Sequence, residues 1–373
     1  MFRKIPASGP RSRARVVALA LLSSAIAACG RGPGQASAST TPPLTPCATP
    51  RTASPPSASV TVKHVPVALP DPKATIDLAD QPLTPIGNDF ILRAKGIGGV
   101  DPQSGKGFAG PFYEYEVSAA GSVLASRKDW QVEQSTLDAT VFTLPGPNAR
   151  WSWIDGAGKT HKLPLDASYL RLLRDLAGHL WAIQYGFNRD SLFEFVADGS
   201  TASAVDYGSA HIYHAAPGCD GAMWVVTRSG TLIHVTARKA AQVAHLPFDS
   251  TVDSLGIVPA SDGSVWILVY RPTGEFTRQL QIMRYGTSGA IGKPITFPED
   301  IAFWPAVGPD GALWGLGIGQ LYRIGFDDNL RMYPISSQDQ QLSPALAGLA
   351  PGADGSLWYA CGGRDICSIA TRQ

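Results

Sequence analysis

One pentapeptide pattern, Asp-Gly-x-x-Trp, recurs four times along the second half of this 373-residue chain. The copies are Asp220-Gly221-Ala222-Met223-Trp224, Asp262-Gly263-Ser264-Val265-Trp266, Asp310-Gly311-Ala312-Leu313-Trp314 and Asp354-Gly355-Ser356-Leu357-Trp358. Their tryptophans stand 42, 48 and 44 residues apart, and a looser copy, Asp175 to Trp181, places its indole 43 residues upstream. Self-similarity at this period marks small antiparallel sheets arranged radially about an axis. The chain is therefore expected to be all-β, a β-propeller.

Each unit reads as apolar strand, Asp-Gly, apolar strand, turn, strand, turn, strand. Gly takes positive φ without strain and Asp tolerates it, so Asp-Gly joins the first two strands of a blade. The tryptophan, early in the second strand, is large enough to fill the wedge between neighbouring blades. Trp181, Trp224, Trp266, Trp314 and Trp358 are thus the expected blade-packing residues. Later turn signals fall at Asp155-Gly156, Asp198-Gly199, Ser288-Gly289 and Asp327-Asp328-Asn329. Leu232-Ile233-His234-Val235 and Leu321-Tyr322-Arg323-Ile324 read as half-buried third strands.

Counting upstream, Phe142 takes the tryptophan slot 39 residues before Trp181, and Phe90 lies a further 52 residues back. Seven anchors predict seven blades; the alternative is six, with the 90–142 stretch as an irregular cap. Only fifteen residues follow Trp358, room for a second and third strand but no fourth. An open ring would leave a bare strand edge. The β-branched run Val60 to Val67 is expected to supply the missing outer strand, the alternative being a disordered lead-in.

Residues 1–28 read as a lipoprotein signal peptide, with Arg3, Lys4, Arg11, Arg13 and Arg15 before thirteen apolar-rich residues, Val16 to Ala28. That stretch is short for a bilayer span. It ends Ile26-Ala27-Ala28-Cys29, which resembles the bacterial lipobox. The resemblance implies cleavage before Cys29, diacylglycerol on its thiol and acylation (palmitate) of the new amino group. An ordinary signal peptide with a chance cysteine is the alternative. Gly30 and Arg31 follow, without an Asp retention cue, so an outer-membrane address facing the periplasm or exterior is expected over an inner-membrane one. Residues 29–59, rich in Pro, Ser and Thr, read as a disordered tether, and residues 60–373 as the propeller. A coil of thirty residues spans roughly 30 Å.

The chain carries 31 basic and 30 acidic residues; residues 1–28 hold five of the basic ones, so the rest stands at 26 against 30, about −4. A mildly acidic domain argues against nucleic acid as a partner. Of the five cysteines, Cys361 and Cys367 flank Gly362-Gly363-Arg364-Asp365, a hairpin loop, and are expected to form a disulfide. A metal site there ranks lower, because no histidine or third cysteine is near in sequence. Cys47 and Cys219 are left either to pair or to stay free.

Gly308-Pro309-Asp310-Gly311-Ala312-Leu313-Trp314, with the similar units at 217–224 and 350–358, resembles the streptogramin (virginiamycin B) lyase-like propellers. The resemblance covers roughly residues 170–370. It implies a propeller fold and, in that family's lyase, a cyclic lactone opened with magnesium, two histidines and a glutamate. Family blades follow the tryptophan with Phe-Thr-Glu. Here the sequels are Ala182-Ile183-Gln184, Val225-Val226-Thr227, Ile267-Leu268-Val269, Gly315-Leu316-Gly317 and Tyr359-Ala360-Cys361. The glutamate is missing from all five, so no catalytic residue, cofactor or metal is carried over. His211 and His214, three apart in the first strand of their blade, should point to opposite faces.

A propeller's mouth is its usual ligand site. By position its connections carry Asp206, Tyr207, His211, Arg228, Asp253, Asp300 and Trp304 as candidate binding residues, with Tyr185, Asn188, Arg189, Arg271 and Arg364 on partner loops. Mixed acids, arginines and aromatics suit a polar small molecule or a protein ligand; a merely solvated rim is the plain alternative. The expected work is binding or scaffolding at the membrane, with lyase or hydrolase action on a small cyclic substrate as runner-up.

Overall fold

The structure is a computed structural model. It describes residues 60, 62–76, 83–86, 88–95, 112–128, 131–135, 141–144, 152–154, 160–162, 170–174, 180–186, 188–195, 202–208, 211–236, 239–251, 253–274, 277–297, 304–308, 310–317, 319–335, 349–352 and 354–370. The signal, Cys29, the tether and Cys47 lie outside these residues.

The strands begin with β1 (Val62–Pro66), β2 (Thr75–Ile76), β3 (Leu83–Ile86), β4 (Asp89–Lys95), β5 (Phe112–Val117) and β6 (Val123–Lys128). Next come β7 (Gln131–Ser135), β8 (Val141–Leu144), β9 (Ser152–Ile154) and β10 (Thr160–Lys162). Then follow β11 (Leu170–Arg174), β12 (Leu180–Gln184), β13 (Ser191–Phe195) and β14 (Ala202–Val205). The regular units are β15 (Ile212–Pro217), β16 (Met223–Thr227), β17 (Thr231–Thr236) and β18 (Lys239–His245), then β19 (Ser254–Pro259), β20 (Val265–Pro272), β21 (Arg278–Gly286) and β22 (Gly289–Thr296). The last are β23 (Trp304–Val307), β24 (Leu313–Gly317), β25 (Gln320–Ile324), β26 (Leu330–Pro334), β27 (Ala350–Pro351), β28 (Ser356–Gly362) and β29 (Asp365–Ala370).

These strands form seven antiparallel sheets. The first contains β2 to β6, with β2 and β3 both paired to β4; the next five are β7–β10, β11–β14, β15–β18, β19–β22 and β23–β26. The seventh runs β27, β28, β29 and then β1. The inner strands touch in cyclic order: β3 to β7, β11, β15, β19, β23, β27, and from β27 back to β3. Sheets that meet their chain neighbours and close on themselves form a β-propeller. Residues 90–142 divide between the first and second sheets rather than capping the ring.

The pentapeptide does what its chemistry predicts. Gly221, Gly263, Gly311 and Gly355 take φ of 77°, 88°, 77° and 85°. One oxygen of each preceding Asp accepts the amide two residues on, at 3.3 Å from Ala222, 3.0 Å from Ser264, 3.2 Å from Ala312 and 3.0 Å from Ser356. Each tryptophan then packs into the core shared with the following sheet. Trp224 lies with Leu255, Ile257 and Val265, Trp266 with Leu313 and Tyr322, and Trp314 with Leu349 and Leu357. Trp181 lies with Ala215, Met223 and Val225, and Trp358 with Phe90 and Leu92 of the first sheet. Burying an indole removes roughly 200 Å² from water, worth about 5 kcal/mol before ordering costs. The phenyl ring of Phe142 lies outside the described side chains.

The N-terminal run closes the ring as expected. β1 pairs antiparallel with β29, from Val62 opposite Ile369 to Pro66 opposite Asp365. Val62 and Val65 are an odd number of residues apart, so they face opposite sides. Val62 joins the core around Trp314, and Val65 the core around Phe90. The closing strand is thus wedged between the sixth and first sheets. Cys361 and Cys367 face each other across the last hairpin in disulfide geometry, with Cα atoms 5.7 Å apart. Cys219, which is buried, is also disulfide-bonded.

Candidate functional site

The connections from second to third and from fourth to first strands emerge at one end of a propeller. Three of them meet around Asp190: residues 185–190 between β12 and β13, the stretch from Asp206 to His211 before β15, and Arg228 to Gly230 after β16. Asp190 is 4% exposed. Its Oδ1 accepts the Gly186 amide at 3.0 Å and lies 3.4 Å from Nδ1 of His211. Its Oδ2 accepts the Ile212 amide at 2.7 Å, and its carbonyl accepts the Tyr207 hydroxyl at 2.7 Å. The Arg228 amide donates to the His211 carbonyl at 2.9 Å. One buried carboxylate thus ties the third sheet to the fourth and backs an imidazole that remains 35% exposed.

The candidates separate into two groups. His211 and Arg228 come together, with Arg228, Asn188, Arg189 and Tyr185 exposed around the same loops. Asp206 is also exposed, its Oδ1 accepting the Gly208 amide at 3.0 Å. Tyr207 and Asp253 are turned inward, contrary to the expectation of ligand-facing side chains. Burial, reinforced by the charge on Asp190, pushes the Tyr207 hydroxyl up to about 12. The Asp253 side chain is 8% exposed. Its Oδ2 accepts the Asp249 amide at 3.0 Å and lies 3.8 Å from Nε of Arg271, whose guanidinium also donates to the Pro247 carbonyl. The Tyr213 hydroxyl donates to the Asp253 carbonyl at 3.4 Å, linking fourth and fifth sheets much as Asp190 links third and fourth. Hydrogen bonds from the Thr251 hydroxyl and amide hold Asp249 below the usual carboxylate range. Trp304 opens β23, and Asp300 lies outside the described residues.

The histidine expectation needs correction. His211 precedes the strand, since β15 starts at Ile212, and the pairing register shifts between Ile212 and His214. Strand alternation therefore does not set the directions of the two rings. Arg364 stands on the second-to-third turn of the last sheet, but its guanidinium is turned to the lead-in after β1, donating to the carbonyls of Pro72, at 2.8 Å, and Leu69, at 2.5 Å.

Sequence reasoning missed Asp190, because nothing local marks a carboxylate whose burial comes from a neighbouring sheet. It also missed a recurring partner of the repeat. The second oxygen of Asp220, Asp262 and Asp310 meets a basic side chain on the third strand: His234 Nε2 at 2.9 Å, Arg284 Nη1 at 3.1 Å and Arg323 Nε at 2.8 Å. Each stands directly across from the tryptophan and over its ring. Burial pushes the Asp220 carboxyl up, but the His234 hydrogen bond and charge outweigh it and hold it below the usual range.

A histidine also appears where none was expected. His64 on β1 stands opposite Cys367, its Nδ1 3.6 Å from Cys367 Sγ and 3.7 Å from Asp365 Oδ2. With Cys361 the three could surround an ion, but sulfurs joined to each other offer no thiolate.

No protein-family model and no curated protein matches the chain. Among solved structures it is similar to virginiamycin B lyase from Staphylococcus aureus, with 16% identity and a TM-score of 0.48 over 84% of this chain and 99% of that one. It is similar to YCF48 bound to D1 peptide at 12% identity and a TM-score of 0.48, covering 83% and 95% of the two chains. It is similar to oligogalacturonate lyase from Vibrio parahaemolyticus at 8% identity and a TM-score of 0.48, covering 84% and 97%. Likeness of this degree is a likeness of sheet layout and brings no activity with it.

Proposed function

We propose that the protein is a binding or scaffold module: a β-propeller held at the cell envelope, facing the periplasm or exterior, by lipid on Cys29 and by the tether of residues 29–59. The observation that carries the binding reading is the patch around Asp190. Tyr185, Asn188, Arg189 and His211 stand on loops tied by the buried Asp190 carboxylate, and the Arg228 loop is joined to them through the His211 carbonyl. Rigid loops presenting an aromatic ring, an amide and two guanidinium groups suit a polar or anionic ligand, because little ordering cost falls on binding. The Cys361–Cys367 pair supports an oxidising, extracytoplasmic compartment.

Two measurements test this reading. Mass spectrometry of the mature amino terminus is expected to find an acylated Cys29, and Cys29→Ser is expected to release the protein from membranes; an unmodified end elsewhere defeats the anchor. For binding, partners retained by the wild type from detergent-solubilised envelopes are expected to be lost with Arg189→Ala and Arg228→Ala combined. Retention by that variant defeats the mouth as the binding surface.

One observation favours a second reading. His211, backed by Asp190, has the arrangement of a general base. A lyase or hydrolase acting on a small cyclic substrate would use it, and turnover abolished by His211→Ala would select that reading.

A further inference from the structure

The opposite end of the ring, where the first-to-second and third-to-fourth turns lie, contains an interruption in the Asp–cation–Trp pattern. In the fifth sheet the Arg284 guanidinium stands 5.4 Å from the Trp266 ring centre and 5.1 Å from that of Phe326 in the next sheet. It donates to Asp262 Oδ2 at 3.1 Å and to the Phe326 carbonyl at 3.3 Å. In the sixth sheet Arg323 repeats the pattern over Trp314, with its centre 5.7 Å from the ring. The seventh sheet keeps Asp354 and Trp358 but places Ser368 directly opposite the tryptophan, at the cation's position. Across the seam, Ala119 is the second residue past β5, as Phe326 is the second past β25.

Both large side chains are therefore replaced by small ones at the same seam. A cavity of about 280 Å³ lies there, lined by Asn88, Phe90, Ala119, Gly352, Asp354 and Trp358. Asp354 Oδ1 accepts the Ser356 amide at 3.0 Å and its hydroxyl at 2.5 Å, the Trp358 indole N–H also donates to this carboxylate, and no basic side chain pairs with it among the described residues. Burial raises this carboxyl, but the hydrogen bonds from Ser356 and from the Trp358 indole outweigh it and hold it below the usual carboxylate range. Lys63 follows Ser368 in the cross-strand row, but it is exposed and forms no ion pair among the described residues. A carboxylate beside the face of an indole attracts a flat cation through both charge and the ring quadrupole.

We infer that this cavity is a binding site for a guanidinium group, the head of an arginine side chain presented by a protein partner. The site is separate from the mouth patch and does not depend on it. The test uses the full chain and follows the Trp358 indole N–H by NMR, assigned with Trp358→Phe. The probes are N-acetyl-arginine methylamide, the matching citrulline derivative, which is flat but neutral, and an arginine-centred tripeptide. Blocked arginine is expected to give a saturable shift in the millimolar range, with citrulline at least tenfold weaker and Asp354→Asn reducing affinity at least tenfold. Ser368→Arg places the chain's own guanidinium at the position of Arg323; it is expected to abolish binding and raise the melting temperature. Should that variant fold poorly, Asp354→Asn and the citrulline comparison still decide. Equal binding of citrulline, or undiminished binding to Ser368→Arg or Asp354→Asn, overturns the site. Tighter binding of the tripeptide than of blocked arginine supports a protein source, and equal or weaker binding overturns that part.

Discussion

Replacing Asp310 with alanine removes three hydrogen bonds at once. Its carboxylate accepts from Arg323 Nε at 2.8 Å, from Trp314 Nε1 at 2.9 Å and from the Ala312 amide at 3.2 Å. The pair is well shielded, with Arg323 9% and Asp310 6% exposed. Leaving a buried charge without its partner costs about 3–5 kcal/mol, most of it the desolvation of the survivor. An orphaned indole N–H adds about 1 kcal/mol. With a urea slope of about 3 kcal/mol/M for a domain of this size, the unfolding midpoint should fall by roughly 1–2 M. Two comparisons isolate the cause. Asp220→Ala makes the same deletion where the carboxylate is 33% exposed and the partner is His234, and should cost about 1 kcal/mol. Asp310→Ala combined with Arg323→Leu removes the stranded charge and should recover a large part of the loss. Urea denaturation followed by tryptophan fluorescence measures all three. A loss under about 1 kcal/mol for Asp310→Ala, or a double variant as unstable as the sum of its singles, refutes the account of a buried ion pair holding the blade.

The other predictions concern the turns. A β-carbon at Gly308 would lie 2.3 Å from Trp314 Cδ1, so Gly308→Ala is expected to lower stability by about 1–3 kcal/mol in thermal melts. Ala260, which holds the same place in the fifth sheet, should tolerate Ala260→Gly at a cost under about 1 kcal/mol. Breaking the Cys361–Cys367 pair with Cys361→Ser and Cys367→Ser together opens a loop with a sequence separation of 6. Chain entropy alone assigns it roughly 2 kcal/mol, measurable as a shift between the double variant and oxidised wild type. Asp327 is pushed up by burial, but hydrogen bonds from Asn329 and Arg331 outweigh this and bring it to about 2. A folded value below the unfolded one stabilises the fold above about pH 4 and is lost as pH falls toward 2. Arg331 and Asp327 are 36% and 43% exposed, so screening leaves well under about 1 kcal/mol. The melting-temperature gap between wild type and Asp327→Asn should shrink on acidification, and a widening gap contradicts the assignment.

The parts legible in the sequence were those written in consecutive residues. Asp-Gly turns and the tryptophan that follows them are local chemistry, and their period disclosed the ring. The β-branched run at Val62 could be matched to an incomplete last blade because both were visible as runs. What escaped depends on neighbours far along the chain. The cation across from Trp224, Trp266 and Trp314 is His234, Arg284 and Arg323 in turn, with no shared letter to reveal the role. Asp190 resembles any loop carboxylate until Ile212 of the next sheet donates to it. Tyr207 and Asp253 looked like mouth residues because loop position does not tell which way a side chain turns. His64 reaches Cys367 only because the ring closes on itself.

That closure also dictates an order of events. β1 is among the first parts of the propeller to be synthesised, yet its hydrogen-bonding partner β29 is among the last. Until residues 365–369 emerge, both ends of the array present raw edges, and Val62 and Val65 have only one side covered. The clasp therefore cannot fasten on a nascent fragment. Closure waits for β29, and a product truncated before it is left as an open arc with two sticky margins.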